Sequence, residues 1–395
     1  MITPIFSSTM ILARRIVERY GDTTIVFGGP HATLDPGSIL EYVPSAVVVS
    51  GDGLGVIPKL VRRVPLEDIP GTYVYDNGEV VCPSGQRVNA IHDVNTFPVI
   101  DRSIFANEPF EKHGRMAMTV VSSYGCGGRC AFCITPAQWE IMKTGGIKRV
   151  RFRDMRLVVE ECKSLVEEHG VNHIQFIDDE MIPHPKRANL FLSLWEEAGL
   201  AGKVTFNCLI RPDTIARFGR LGILSKLKSA GLERISLGIE TGYERGCLMV
   251  SNRNGKLDPK YNPDNILSGL NACREEGIAT KGFLMLGLPG ETVSETRQTV
   301  DFMHSLKKFG LGEVALFPVK VYPGTALWDM AIAHGHTEED LGHYSAPRVR
   351  LLIVNGMNPV VASRDGYMNT AQLAEYSNKE LSDICYSEMN AFSEL

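Results

Sequence analysis

The sequence YGCGGRCAFC, running from Tyr124 to Cys133, carries Cys126, Cys130 and Cys133 at a C-x3-C-x2-C spacing on a glycine-rich loop. It follows directly on a strand-like run, Met116 to Ser122. Thiolates gathered this closely suit a metal centre, and their number is informative. A complete iron–sulfur cubane takes four cysteines; three leave one iron open to another ligand, much as a catalytic zinc site keeps one position free. A structural zinc knuckle closes with a fourth Cys or His, and none lies within this loop.

Outward from the loop, strand and helix patterns alternate. Strand-like runs are Met116 to Ser122, His173 to Ile177, Val204 to Leu209, Arg234 to Ile239, Thr280 to Leu286 and Glu313 to Val319. In the first intervening helix Met155, Val158, Val159, Cys162, Leu165 and Val166 keep the spacing of one buried face. Such units predict an α/β fold with a parallel, partly open (β/α)6 TIM-like barrel. Right-handed crossovers bring every strand's C-terminal end to one rim, where the chemistry belongs. The residues just past those ends are therefore the candidates: Asp178, Asp179 and Glu180, then Arg211 and Glu240, and Gly287 to Glu291. Consecutive acids also suit a solvated loop or a helix N-terminus, and a strand-end Glu240 also suits an ion pair, for instance with Arg211. Glu291 is expected to cap the next helix, and His184 is a weaker candidate for proton transfer.

Length and composition bound the rest. The 395 residues, 44% hydrophobic, suffice for one large domain or two. No apolar run reaches about 18 residues and Met1 to Thr9 lacks a signal-peptide pattern, so a cytoplasmic protein without a membrane span is expected. A net charge of −5, from 41 basic and 46 acidic residues, argues against general nucleic-acid binding. Of the nine cysteines, Cys82, Cys162, Cys208, Cys247, Cys273 and Cys385 stand alone and read as buried small hydrophobes, leaving one cluster expected.

Before the barrel, residues 1–95 read as an α/β fragment: a helical run from Met10 to Tyr20, strands Thr24 to Phe27 and Ala46 to Ser50, and the turn residues Gly28 and Gly29. Thr72 to Val81 reads as a hairpin about Asn77-Gly78. Residues 96–115 read as a linker, 116–335 as the barrel and 336–395 as an extension suited to a substrate lid, with a strand at Arg350 to Val354 and a helix over Ala371 to Met389.

The cysteine spacing, with aromatic Phe132 before the last thiol, resembles the signature of the radical S-adenosylmethionine (SAM) superfamily. Leu237 to Gly242, Gly282 to Glu291 and Tyr322 to Thr325 resemble that family's Gly-Ile-Glu-Ser-Gly run, its Gly-Leu-Pro-Gly-Glu turn and its last strand end, so the resemblance covers about residues 116 to 335. It implies that Cys126, Cys130 and Cys133 hold a [4Fe-4S] cluster whose open iron chelates SAM, and that an electron from the cluster releases a 5'-deoxyadenosyl radical. It further implies roles toward SAM for Phe132, Asp178, Asp179, Arg211 and Glu240, and close approach of the ligand at Gly238, Gly282 and Gly287. Residues 24–105 resemble, more weakly, the second half of the cobalamin-binding domain found in one subgroup. That front end is expected to be truncated, and none of the ten histidines follows an Asp by two residues, as the cobalt-ligating motif requires. His31 then reads as a packing residue and cobalamin as the lesser expectation.

The leading expectation is an enzyme that abstracts hydrogen from a small metabolite or natural-product intermediate, ending in dehydration, epimerisation, oxidation or cyclisation, with an electron donor such as flavodoxin or ferredoxin. The alternatives are a cobalamin-dependent C-methyltransferase, a non-catalytic iron–sulfur sensor or partner subunit, and a structural zinc protein.

Overall fold

The computed structural model describes residues 6–21, 23–98, 100–102, 110–112, 114–341 and 372–394. The chain forms two compact units, each drawn from separate stretches. One comprises Met1–His92, Gly128–Arg149 and Val319–Asn378; the other comprises Asp93–Gly127, Val150–Pro318 and Lys379–Leu395. They cut across the contiguous segments expected from sequence, and the division falls inside the cysteine loop, between Gly127 and Gly128. Among the described residues no helix is long and apolar enough to cross a membrane.

The first unit opens with α1 (Phe6–Tyr20), β1 (Val26–Phe27), α2 (Pro30–Leu34), α3 (Pro36–Tyr42), β2 (Val47–Val49), α4 (Ile57–Val61), β3 (Thr72–Asp76) and β4 (Glu79–Val81). The four strands form one sheet in chain order, β1 and β2 parallel, the rest antiparallel. Asp76 faces Glu79 across Asn77 and Gly78, both with positive φ, the conformation a two-residue hairpin turn requires. The hairpin therefore extends the sheet begun by β1 and β2. His31 is fully buried against Phe6, with ring centroids 4.8 Å apart, and its Nε2 meets Ser38 Oγ at 3.1 Å. Burial pushes its pKa down to about 4, so it is a neutral packing residue.

The second unit begins with a feature absent from the sequence reading: β5 (Phe110–Lys112), inside the expected linker, pairs antiparallel with β6 (Arg115–Val120). Then follow β7 (Ser123–Tyr124), α5 (Ile134–Met142, part of the first unit), β8 (Arg151–Phe152), α6 (Met155–His169), β9 (His173–Phe176), α7 (Pro185–Glu197), β10 (Thr205–Leu209), α8 (Pro212–Arg220), α9 (Ile223–Ser229), β11 (Leu232–Glu240), α10 (Glu244–Ser251), α11 (Pro263–Glu275), β12 (Ala279–Leu286), α12 (Val293–Ser305) and β13 (Glu313–Pro318). The sheet order is β13-β12-β11-β10-β9-β6-β5, and β6 with β9 to β13 run parallel. The six expected barrel strands are all present, each within two residues of its expected ends. The predicted face of α6 is buried at Met155, Val158, Val159, Cys162 and Leu165. Phe176, Phe191, Trp195 and Phe206 pack edge-on or tilted between sheet and helices at 5.0–6.0 Å, and Trp195 Nε1 donates to Ala230 O at 2.9 Å.

After β13 come α13 (Ala326–Ala333), α14 (Glu338–Leu341) and α15 (Asn378–Glu394). The expected strand at Arg350 to Val354 lies outside the described residues. The described tail helix α15 lies against Gly287, just past β12, through Leu381. α15 runs along the open edge of β13: Leu316 N–H donates to Met389 Sδ at 3.3 Å, and His304 of α12 meets Glu388 Oε2 at 2.8 Å. A helix over an edge strand occupies backbone groups that would otherwise template pairing.

Candidate active site

The stem of the cysteine loop is fastened inside the barrel unit. Asp178, 4% exposed just past β9, receives Ser122 N–H on both oxygens at 3.0 and 3.1 Å, and its Oδ1 also accepts Ser122 Oγ at 2.7 Å and Ser123 Oγ at 2.6 Å. Arg187 of α7 donates to Ser122 O at 2.9 Å and to Met181 O at 3.0 Å. Burial lowers the Arg187 pKa to about 10 against the pull of Asp178. Asp178 thus sets where the chain leaves β6 for the cysteines. It was expected to face SAM; its bonds instead go to the loop stem. Asp179 beside it is exposed.

The far side of the loop is fastened within the other unit. Arg149 donates to Gly128 O, Leu327 N–H donates to Ala131 O at 2.9 Å, and Cys133 N–H donates to Cys130 O at 3.1 Å. Cys133 is the N-cap residue of α5. Thr325 caps α13, its Oγ1 accepting Trp328 N–H at 3.3 Å, so the Tyr322 to Thr325 turn carries the helix whose Leu327 holds the loop. Cys126, Cys130 and Cys133 are in no disulfide and are half-buried, and Phe132 is half-buried too.

The other cysteines contrast with these. Cys162, Cys208, Cys247, Cys273 and Cys385 are buried, and burial pushes every one of their thiols up, to about 11 for Cys247 and about 12 for Cys273 and Cys385. Cys82 departs from expectation: it is half-buried, and its Sγ lies 3.4 Å from Gln86 O in a surface turn.

Along the rim, several candidates are already committed to protein partners. Arg211, expected to bind the SAM carboxylate, forks onto Asp213 at 3.0 and 3.2 Å and reaches Asp258 Oδ1 at 2.6 Å. Burial works against its charge, but the bonds to Asp213 and the charges of Asp213, Asp258 and Glu180 outweigh it and raise its pKa. Glu180 is buried, its pKa raised by desolvation, and accepts Thr214 Oγ1 at 3.1 Å. His184 caps α7, its Nδ1 accepting Arg187 N–H at 3.2 Å.

Glu240 does form an ion pair, but not with Arg211. Its partner is Lys260, Nζ to Oε1 at 2.8 Å, a residue that sequence reasoning missed because it sits in an aperiodic segment twenty positions on. The pairing of β11 with β12 shifts register between Gly238 and Glu240, and Glu240 has φ 73°. Bulges and left-handed side-chain-bearing residues concentrate at functional sites, where the surroundings hold the strain.

The glycines of β12 and its turn serve packing. A Cβ on Gly282 would stand 2.8 Å from Ile239 Cδ1 and 3.0 Å from Leu311 Cδ1, so apolar neighbours fill that space. Gly287 has φ 89° and lies against Leu381 of α15. Glu291 does not cap α12, which Thr292 caps in a box with Glu295. It is fully buried and folds back to accept Gly287 N–H and Leu288 N–H at 3.1 Å, Thr296 Oγ1 at 2.7 Å and Tyr243 Oη at 3.0 Å. Burial raises its pKa against these bonds. A further unforeseen group is Lys320, two residues past β13 in the first unit, whose pKa burial lowers to about 7.

Among the described residues no three His, Cys, Asp or Glu side chains converge to hold a single metal ion. A cubane asks something else, one thiolate on each of three irons with the fourth left for a ligand. Three half-buried thiols outside any disulfide, at a C-x3-C-x2-C spacing on a loop that follows a barrel strand, fit that demand.

Comparison with known proteins agrees. Residues 120–303 match the model of the radical SAM superfamily. An uncharacterized methyltransferase of Pyrococcus horikoshii is 26% identical over 78% of this chain and 63% of its own length. The anaerobic magnesium-protoporphyrin IX monomethyl ester cyclase of Cereibacter sphaeroides is 28% identical over 69% of this chain and 43% of its own. The chain thus spans 63% and 43% of the length of these two relatives. Among solved structures, the radical SAM methyltransferase TsrM of Kitasatospora setae shares the fold, with a TM-score of 0.60 at 19% identity over 82% of this chain and 60% of that one. A cysteine loop after the first barrel strand, a parallel six-stranded sheet whose strand ends share one rim, and a family match that takes in the loop and β9 to β12 lead to one assignment: residues 120–303 match the radical SAM superfamily as a domain of this chain.

Proposed function

We propose that this protein cleaves SAM reductively at the barrel rim and turns the product on a carbon of a small-molecule substrate. The observation that carries this is the cysteine loop, held at its stem by Asp178 and, on its far side, by Arg149 and Leu327, with Cys126, Cys130 and Cys133 at the C-x3-C-x2-C spacing and in no disulfide. When bound, the cluster and SAM supply electron transfer to the sulfonium and a 5'-deoxyadenosyl radical. Cys126, Cys130 and Cys133 would hold the cluster. Asp178 and Arg187 hold the loop stem. Glu240 offers a carboxylate oxygen to donor groups of SAM, and Lys260 pairs with its other oxygen at an apolar strand end.

A second reading, cobalamin-dependent methyl transfer, is favoured by one feature of the first unit. Gly28 and Gly29 follow β1; Gly29 has φ 97°, and among the described residues a Cβ on Gly28 would meet nothing within 4 Å, a backbone turn of the kind a ligand can approach closely. Solved TsrM is a methyltransferase with cobalamin and a [4Fe-4S] cluster bound. His31, buried on Ser38, is not the cobalt ligand in that reading.

The test is anaerobic cluster reconstitution with hydroxocobalamin, removal of excess, metal analysis, then reduction in the presence of SAM. About four irons per chain with 5'-deoxyadenosine released supports the first reading. Four irons with one cobalt and S-adenosylhomocysteine supports the second. An intact cluster without SAM cleavage points to a sensor or partner subunit, and absence of iron refutes all three.

A further inference from the structure

The end of β11 is arranged around one carboxylate. Glu240 is 6% exposed and has φ 73°, a conformation side-chain-bearing residues seldom adopt. Lys260 Nζ donates to its Oε1 at 2.8 Å, and the two side chains are 11% and 8% exposed. A Cβ on Gly238 would overlap Glu240 Oε1 and stand 2.6 Å from Lys260 Nζ, so the side chain that Gly238 lacks is the space in which the pair forms. Lys260 is held in turn. Its N–H donates to Asp258 Oδ1 at 3.0 Å, and Asp258 takes Arg211 at 2.6 Å and Arg253 at 3.1 Å, which ties the end of β10 to the same segment. The ammonium also lies 4.9 Å from the Tyr261 ring centroid. Among the described residues Glu240 Oε2 accepts no protein donor.

We propose that Lys260 and Gly238 are positioning residues for SAM, acting through Glu240. Lys260 takes Oε1, fixes the side chain on its strained backbone and compensates a charge that burial would otherwise disfavour. Gly238 gives the pair room. Oε2 then remains as acceptor for the ammonium or ribose hydroxyls of SAM. The inference rests on the radical SAM reading above and adds to it residues that do not touch the ligand.

The test uses cluster-loaded protein under strict anaerobiosis, with SAM affinity measured by equilibrium dialysis of labelled SAM beside iron content and melting temperature. Gly238→Ala is the sharpest variant: the atoms it displaces are tips of flexible side chains, so it folds, yet it separates the pair without removing a charge. It is expected to bind SAM about tenfold more weakly at unchanged iron content, as are Lys260→Met and Glu240→Gln. The Lys260→Met/Glu240→Gln double variant is expected to be no weaker than either single one, because both changes remove the same interaction. Additive losses would mean that Lys260 touches SAM itself and would overturn the inference. Wild-type affinity in Gly238→Ala or in folded Lys260→Met overturns it too. If Lys260→Met does not fold, Gly238→Ala decides alone. Wild-type protein that loads no iron, or loads it and binds no SAM, removes the radical SAM reading itself, a result distinct from any of these.

Discussion

Asp178 past β9 and Glu240 at the end of β11 are both buried carboxylates on one rim, yet Asp178 receives protein donors on both oxygens and Glu240 on one. Glu291, past β12, sides with Asp178, accepting two backbone amides and two hydroxyls. A buried acid whose acceptors are filled builds the frame. One left with an open oxygen on a strained backbone is kept for something that arrives later.

The sharpest way to break this comparison is Asp178→Ala. It strands the Ser122 N–H and the Ser122 and Ser123 hydroxyls in a buried site and should cost about 3 kcal/mol in urea unfolding, with poorer iron loading. Glu291→Gln comes next, at about 2 kcal/mol, since an amide offers one acceptor oxygen where four donors now share two. Glu240 should behave differently. With Lys260→Met as background, so that no ammonium is left unpaired, Glu240→Gly should be more stable than Glu240→Ala by about 1 kcal/mol, because glycine adopts φ 73° without strain. Equal stabilities would show that the backbone is not strained and would weaken the contrast with Asp178.

The smallest effect concerns Lys320. Its folded pKa is lowered to about 7 from 10.5, so between those values the unfolded chain binds more protons than the folded one. Stability should therefore rise with pH across that window, and Lys320→Met should flatten the slope of urea midpoint against pH.

The strands were legible because burial on both faces of a parallel sheet writes continuous apolar runs such as Phe283 to Leu286, and Asn77-Gly78 marks a hairpin by backbone conformation alone. The cysteine loop was legible for a chemical reason, its thiol spacing. What the sequence could not convey is which neighbour claims a polar group at a strand end. Arg211 had the right chemistry for a SAM carboxylate, but Asp213 and Asp258 had already taken its fork. Gly282 read as an approach for a flat ring, and Ile239 and Leu311 fill that approach. Lys260 gave no signal because its segment has neither helical nor strand period, and its pairing with Glu240 exists only once Asp258 folds the loop back. β5 escaped notice because three residues are too short for an alternation to be read.

The helix α15 holds the edge of β13 partly through a sulfur, Met389 Sδ on Leu316 N–H. Thioethers are readily oxidised, and a sulfoxide is larger, polar and stereochemically fixed where the sulfide is soft. With a cluster bound as proposed, exposure to air would therefore threaten more than the cluster. Oxidised Met389 would disturb the contact that α15 makes with Leu316 N–H, and with it the cover on that sheet edge.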